Sequence, residues 1–247
     1  MFKLSEDMEG VKKEDINAVL LRRISRKIAV FIAKKLKNTL WITPTGITFF
    51  VALLYILCAL SLYFATTLSY IAAGILFILA YIFDQVDGSL SRIRETATEA
   101  GGFLDHTFDN LGVILLFIGA TLGLINTYGE FYPIFNINLP SIWLFSLLGI
   151  TAYLLQRFMY ESFRRLFAEG ASTEIEKAKS KINFIKNFFY DGPMIVYGFV
   201  LGSILTAFIP KFFAYVLIFF GVYGWLFCLV SFREFYKRGK RIVQKTQ

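Results

Sequence analysis

The chain has 247 residues, of which 56% are apolar and only 18% are charged, and its mean hydropathy is +0.59. A soluble domain carries about a quarter charged residues, so this composition excludes an ordinary soluble protein, a disordered chain and a disulfide scaffold. The net charge of +8 could suggest nucleic acid as a partner, but the basic residues adjoin apolar segments. This placement fits attraction to anionic lipid headgroups better, and no nucleic-acid partner is expected.

The chain begins with a polar segment over residues 1–14 that does not resemble a secretory signal peptide, so the mature protein is predicted to start at Met1. Residues 15–38 follow with a helical, amphipathic pattern. We expect a cytoplasmic interfacial helix on the inner leaflet, and a basic topology anchor or a direct part in binding are equally compatible with it. Its apolar stripe would comprise Leu20, Ile24, Ile28 and Phe31, with Arg22, Arg23, Arg26, Lys27 and Lys34 off the stripe.

The rest of the chain is dominated by apolar stretches of the length that crosses a bilayer, about 20 residues. We therefore predict an all-α, polytopic membrane bundle of six transmembrane helices that forms one domain over residues 1–247. Thr43 and Pro44 have the pattern of an N-cap and first turn before the first span. Cys58 and Cys228 lie inside apolar runs and are predicted to be buried and reduced. The predicted spans cover about 45–66, 68–91, 104–126, 139–163, 193–210 and 212–232.

The positive charge is distributed on one side of this predicted topology. Six spans put both termini on the same side, and 25 of the 26 Lys and Arg residues then fall there. Only Lys211 lies in a loop on the opposite side. By the positive-inside rule, both termini and the polar face of the protein are predicted to be cytoplasmic, in an integral membrane protein of the cell membrane.

Six of the 18 acidic residues crowd into the segment from the end of the second span to the start of the third. Asp84 and Asp87 are three residues apart, and Asp105 and Asp109 are four apart, so each pair lies on one helix face. Two antiparallel helices would bring the pairs together. Because carboxylates are costly at membrane depth, the cheapest compensation is one or two divalent cations, and Mg²⁺ or Mn²⁺ suits a set of oxygen ligands.

Two neighbouring residues indicate what such a metal site would hold. Gly88 lacks a side chain beside the carboxylates, so a substrate could approach the backbone closely. Arg92 lies one turn further along, where a guanidinium can bind phosphate oxygens in a fork. Taken alone, Gly88 would be read as a packing residue and Arg92 as an interface residue. Together with the carboxylates they predict a pyrophosphate site.

Residues 84–109 resemble the motif of the CDP-alcohol phosphotransferases, D-x-x-D-G-x-x-A-R-x8-G-x-x-x-D-x-x-x-D. Ser91 is the single departure, since the family usually has Ala there. The run Thr43 to Thr48 is similar to the family's T-P-N-x-L-T, with Thr45 in place of Asn. Two further likenesses point to different acceptors. The run Leu21 to Arg26 resembles inositol-phosphate-transferring members, whereas Asp105 to Asp109 resembles choline and ethanolamine phosphotransferases.

The resemblance implies a six-helix homodimer with a cytoplasm-facing site that holds two metal ions. Asp84 and Asp105 would bridge both ions, Asp87 would complete the first site and Asp109 the second. Asp109 would also act as the catalytic base on the acceptor hydroxyl. The CDP moiety would be contacted by Gly88, Arg92, Thr98 and Gly101.

The implied activity is transfer of a substituted phosphate from a CDP-alcohol donor to an acceptor alcohol, with release of CMP. The apolar surroundings favour a CDP-linked lipid over a soluble donor, in phospholipid or headgroup biosynthesis. An intramembrane prenyltransferase acting on a lipid diphosphate and a divalent-cation transporter are the alternatives. Arg157, Arg164 and Arg165 are candidates for binding the acceptor, and equally for topology charges. His106 lies about 100° from Asp105 around the helix and is predicted to make a polar contact rather than to bind metal.

The charge distribution predicts how the loops are exposed in cells. Cysteine labels placed in the loop at 126–140 should react with membrane-impermeant reagents in intact cells, because that loop is predicted to be extracytoplasmic. Labels at 169–186 should react only after permeabilisation. The two native cysteines, predicted to be buried, provide the unlabelled background, and the opposite labelling pattern would overturn the predicted topology.

Overall fold

The computed structural model describes residues 20–129, 133–134, 137–138, 142–166, 192–209 and 211–246. These residues are helical apart from the connections and a short antiparallel pairing of two two-residue strands. The predictions for residues 1–14 and for the loop at 169–186 lie outside the described residues. The elements are α1 (Leu20–Leu36), α2 (Pro44–Phe64), α3 (Thr67–Ile93), α4 (Glu99–Tyr128), β1 (Pro133–Ile134), β2 (Ile137–Asn138), α5 (Ile142–Leu166), α6 (Gly192–Phe208) and α7 (Phe212–Thr246).

Five of the described helices are long and apolar enough to cross a membrane, which indicates an integral membrane protein. They are α2, α3, α4, the Ile142–Met159 part of α5 and the Phe212–Lys237 part of α7. The predicted span at 193–210 falls on α6, which has only 17 residues. The all-α class is therefore confirmed, whereas the count of six spans is not.

The starts of the three site-bearing helices are set by threonine N-caps. The Thr43 side chain accepts a hydrogen bond from the Gly46 amide, and Pro44 opens α2 as the sequence predicts. At the start of α3, Thr66 and Ser69 satisfy each other's backbone amides in a capping box. The Thr98 side chain caps α4 in the same way.

The core of the bundle is formed where α3 and α4 each pack on α2, with α5 on α7 and α6 on α3. Close approach of α4 to α2 depends on glycine: a Cβ at Gly119 would overlap the carbonyl oxygen of Ala59. Both cysteines are buried free thiols, as predicted. Large aromatic side chains fill the centre of the bundle, namely Phe77, Phe117, Phe199, Phe213 and Phe220.

Helix α1 packs on α3 with a different face from the one that its apolar pattern emphasises. The face against the protein is made of small residues, among them Ser25, Ala29 and Ala33. The described members of the predicted apolar stripe, Ile24, Ile28 and Phe31, are 47%, 41% and 60% exposed. The stripe therefore points away from the bundle. That orientation leaves the stripe available for contact with lipid.

Arg94, the residue after α3, joins the end of α1 to the start of α2. Its guanidinium donates hydrogen bonds to four backbone carbonyl oxygens. The acceptors are those of Leu36, Lys37 at 3.0 Å, Thr39 at 2.8 Å and Ile42 at 2.6 Å. A guanidinium carries five N–H donors in one plane, which suits these four acceptors. A lysine ammonium has only three donors and would not suit them. The α1–α2 connection is thereby held against the C-terminal end of α3.

Candidate active site

The motif residues lie on a helical hairpin made by α3 and α4, which are joined by only five residues. Asp84 lies on α3, and Asp105 and Asp109 lie one turn apart on α4. Each offers a carboxylate oxygen, and these oxygens all lie within 4.8 Å of one another. Oxygens that bind one Mg²⁺ at about 2.1 Å can be at most about 4.2 Å apart. A small adjustment of the side chains would therefore let these three carboxylates share an ion.

The donor set itself matches a hard divalent cation. The group contains carboxylates only, which favours Mg²⁺ or Mn²⁺ over softer metals. His106 is exposed and does not belong to this group. Three carboxylates this close repel one another strongly in a membrane helix hairpin unless a cation compensates them.

Asp87 has a different environment from the other three aspartates. Its side chain is buried, and its Oδ2 accepts a hydrogen bond of 2.8 Å from the Thr48 hydroxyl at the start of α2. Asp87 is not a member of the group within 4.8 Å. Sequence reasoning missed Thr48 as a site residue, although the motif from Thr43 to Thr48 marked the segment. Nothing in that motif indicates that its last threonine reaches across to α3.

Arg92 folds back along α3 towards the motif glycine. A Cβ added at Gly88 would lie 3.4 Å from Nη1 of Arg92 and 3.7 Å from Nη2. The guanidinium therefore lies over Gly88, which directly follows Asp87 and is one turn beyond Asp84. This arrangement can present a cation and a bare stretch of backbone to a phosphate group.

Thr98 and Gly101, the two remaining residues predicted to contact the CDP moiety, form the N-cap of α4. The Thr98 Oγ1 accepts a hydrogen bond of 3.1 Å from the Gly101 amide. A Cβ at Gly101 would lie 3.2 Å from that oxygen, so glycine gives the cap room. Both residues lie at the helix end nearest Asp105, where backbone N–H groups and the helix dipole favour an anion.

Helix α5 contributes a cation to the same site. Arg157 Nη2 lies 3.9 Å from Asp109 Oδ2, so one of the three candidate acceptor-binding arginines adjoins the predicted base. Arg164 and Arg165 lie further along α5, near its end, and their side chains are outside the description. Tyr153 and Asn110, which the sequence did not single out, lie beside Arg157. The Tyr153 hydroxyl donates a hydrogen bond to Asn110 Oδ1.

Helix α1 also adjoins the site, through Gln85, which lies next to Asp84 on α3. Gln85 Nε2 donates a hydrogen bond of 3.0 Å to the Ser25 hydroxyl, and that hydroxyl donates one of 3.2 Å to Gln85 Oε1. Arg26 Nη1 donates to the Gln85 carbonyl oxygen at 3.4 Å. The segment that the sequence marked only as amphipathic is therefore anchored one residue from a candidate metal ligand.

Comparisons with known proteins agree with the motif. A family model described as CDP-alcohol phosphatidyltransferase matches residues 41–223. A bifunctional IPC transferase and DIPP synthase from Thermococcus kodakarensis is 29% identical over 168 residues, which make up 68% of this chain and 34% of that protein. The chain thus spans about a third of the length of this relative.

Two solved structures have a similar fold. The crystal structure of Mycobacterium tuberculosis phosphatidylinositol phosphate synthase (PgsA1) with CDP-DAG bound has a TM-score of 0.64 and 17% identity, and covers 85% of this chain and 94% of that chain. The same enzyme in complex with manganese and citrate has a TM-score of 0.62 and 16% identity, with 84% and 88% covered. At this identity the likeness shows the fold.

The bond from Thr48 to Asp87 leads to a prediction about metal affinity. Thr48→Val removes the hydroxyl at nearly constant volume and should weaken Mn²⁺ binding about 10- to 100-fold, because Asp87 loses the donor that orients it. Titration of Mn²⁺ followed by electron paramagnetic resonance measures this affinity. Thr48→Ser keeps the hydroxyl and should bind normally. Thr121→Val makes the same change in the core of α4 and controls for stability. Equal affinities of Thr48→Val and Thr48→Ser would contradict the prediction.

Proposed function

The chain belongs to the CDP-alcohol phosphatidyltransferase family, and we propose that it transfers a substituted phosphate from a CDP-linked donor to the hydroxyl of an acceptor alcohol, releasing CMP. The observation that carries the proposal is the group of three carboxylates within 4.8 Å on the α3–α4 hairpin. That group occurs within a motif that matches the family at all positions but Ser91.

The metal ligands in this proposal are the four motif aspartates, and the cofactor is Mg²⁺ or Mn²⁺, with two ions bound. Asp84 and Asp105 would contact both ions, Asp87 one and Asp109 the other. When bound, the ions would neutralise the diphosphate and stabilise the departing CMP. PgsA1, which shares the fold, has been crystallised with manganese. The hydrogen bond from Thr48 would hold the Asp87 carboxylate in a fixed orientation for binding its ion.

The remaining motif residues would hold the donor and move the proton. Arg92 would bind the diphosphate oxygens, while Gly88, Thr98 and Gly101 leave room for the CDP moiety. Asp109 would take the proton from the acceptor hydroxyl. The hydroxyl oxygen then forms a bond to the phosphorus that carries the donor's alcohol, and the bond from that phosphorus to CMP breaks. CMP leaves with the bonding electron pair on its phosphate.

We propose a lipid donor, because apolar side chains border the site on the outside of the bundle. Phe49, next to Thr48, is 55% exposed, and Phe103, two residues before Asp105, is 71% exposed. In a membrane these rings would contact acyl chains. The PgsA1 structure contains CDP-DAG, which supports a donor of this class.

The acceptor we propose is an alcohol that carries a phosphate. Arg157 lies beside Asp109, so a cation adjoins the carboxylate that would receive the hydroxyl proton. A phosphate on the acceptor would bind the guanidinium and bring the hydroxyl to Asp109. PgsA1 is a phosphatidylinositol phosphate synthase, which supports inositol phosphate among the candidates, with glycerol phosphate as another.

The placement of the enzyme in the membrane is part of the proposal. α6 would form the sixth crossing: its 17 residues span about 25 Å, slightly less than the hydrocarbon core of about 30 Å. Both termini and the site would face the cytoplasm, where the charge distribution puts them. Two copies would form a homodimer, as the family resemblance implies.

The direct test is CMP release by purified protein in Mn²⁺- and Mg²⁺-containing buffers. CDP-diacylglycerol and soluble CDP-alcohols should be offered with inositol 1-phosphate, glycerol 3-phosphate, serine and the unphosphorylated alcohols. We expect release from CDP-diacylglycerol with a phosphorylated acceptor, abolition by chelation and recovery on addition of metal. Full turnover in excess chelator after exhaustive metal removal would exclude the proposed metal dependence.

Two substitutions should separate proton transfer from donor binding. Asp109→Asn keeps the size of the side chain but cannot accept the proton. We therefore expect its affinity for CDP to stay within a few-fold of the wild type and its turnover rate to fall by a factor of about 10²–10⁴. Arg92→Ala removes a charged contact to the diphosphate, so binding should weaken as well. Calorimetric titration of CDP, paired with CMP-release rates, measures both.

Normal turnover by Asp109→Asn would show that the base lies elsewhere. If Asp109→Asn lost CDP binding as severely as Arg92→Ala, Asp109 would serve mainly as a metal ligand.

A further inference from the structure

Tyr153 makes a buried connection between α5 and α4 that the motif does not include. The side chain is only 6% exposed. Its hydroxyl donates a hydrogen bond of 3.1 Å to Asn110 Oδ1, and it accepts one of 3.4 Å from Arg157 Nε. A phenolic hydroxyl has one proton to donate, and here that proton goes to the residue directly after Asp109. The orientation of Arg157 is thereby tied to the helix that carries the proposed base.

Arg157 lies one turn beyond Tyr153 on α5 and is held through both its charge and its Nε. The guanidinium carbon is 5.8 Å from the centre of the Tyr153 ring, within cation–π range. Its Nη2 is 3.9 Å from Asp109 Oδ2. An unconstrained arginine–carboxylate pair closes to about 2.7–2.9 Å. The guanidinium thus bonds Tyr153 through its Nε and lies beside Asp109 without a close ion pair.

We propose that Tyr153 and Asn110 are positioning residues that hold Arg157 beside Asp109 without letting it form a tight ion pair, so that Arg157 binds the phosphate of the acceptor. This inference rests on the proposed function, because it deepens the account of the acceptor. A guanidinium fixed at Nε directs its two Nη groups as a fork, which matches phosphate oxygens. Asp109 keeps its oxygens for the ion and for the acceptor hydroxyl.

A purely structural role for Tyr153 makes a different prediction. If the hydroxyl only joined α4 to α5, its loss would affect stability and would affect catalysis equally whether Arg157 were present or not. If it acts through Arg157, its loss should have no further effect once Arg157 is removed. A double-mutant cycle distinguishes these two cases.

The experiment compares Tyr153→Phe, Arg157→Ala and the double variant, with CDP-diacylglycerol as donor, inositol 1-phosphate as acceptor and saturating Mn²⁺. Tyr153→Phe keeps the ring and should raise the KM for inositol 1-phosphate about tenfold or more, the usual cost of losing a hydrogen bond to a charged group. The KM for the donor and the affinity for Mn²⁺ should stay within about twofold. In the Arg157→Ala background, Tyr153→Phe should change nothing further.

Two further variants serve as companion and control. Asn110→Leu removes the partner of the hydroxyl and should shift the acceptor KM in the same direction as Tyr153→Phe. Tyr63→Phe makes the same chemical change at an exposed position in the last turn of α2, and it should match the wild type. An unchanged acceptor KM in Tyr153→Phe, or additive effects of Tyr153→Phe and Arg157→Ala, would overturn the inference.

Equilibrium binding separates failure of this inference from failure of the proposed function. Inorganic phosphate is titrated calorimetrically into the Mn²⁺-loaded wild type and the same variants, without donor. We expect Tyr153→Phe and Arg157→Ala each to lose phosphate affinity, and the double variant to lose no more than Arg157→Ala. If the wild type releases no CMP from any donor, the proposed function is wrong, and this titration still decides the role of Tyr153: unchanged affinity in Tyr153→Phe would refute it.

Discussion

The structure depends on three carboxylates that share a space less than 5 Å across on a pair of membrane-spanning helices. Such a group is unstable by itself, since the negative charges repel one another where water cannot screen them well. It therefore needs a cation and a rigid frame. The five-residue connection between α3 and α4, closed by the Thr98 cap, supplies part of that frame by limiting how far the joined ends of the two helices can separate.

The rest of the frame comes from α2, which packs on both helices of the hairpin. Glycines on α4 let the backbones approach closely: a Cβ at Gly112 would lie 2.5 Å from the Tyr55 ring, and one at Gly119 would overlap Ala59. With α2 seated this closely, its first turn delivers Thr48 to Asp87. Arg94 reinforces the same end by holding the connection that leads into α2. The close packing of α2 in the core thus also places Thr48 beside the candidate ligand Asp87.

Two helices, α1 and α5, flank the α3–α4 hairpin and present different groups to the site. On one flank, α1 is attached to Gln85 through hydrogen bonds with Ser25 and Arg26, while its apolar stripe points outwards. On the other flank, α5 brings the Arg157 cation to Asp109. A donor with acyl chains and an acceptor with a phosphate would favour different flanks. In the proposed reaction, two such substrates would meet at one metal site.

The sequence by itself determined the helical class, the cap of α2, the buried thiols and the family, because these depend on spacing within one segment. The spacing of four residues also put Asp105 and Asp109 together, whereas Asp87 lies outside the group that Asp84 joins. Only the tertiary structure decided that Thr48 meets Asp87, 39 residues away, that Tyr153 joins Asn110 and Arg157, and that α1 packs by its small residues. Those contacts depend on how far each helix is rotated and shifted against its neighbour, and that rotation is set by the packing of whole helix surfaces, which no periodicity within a single helix reports.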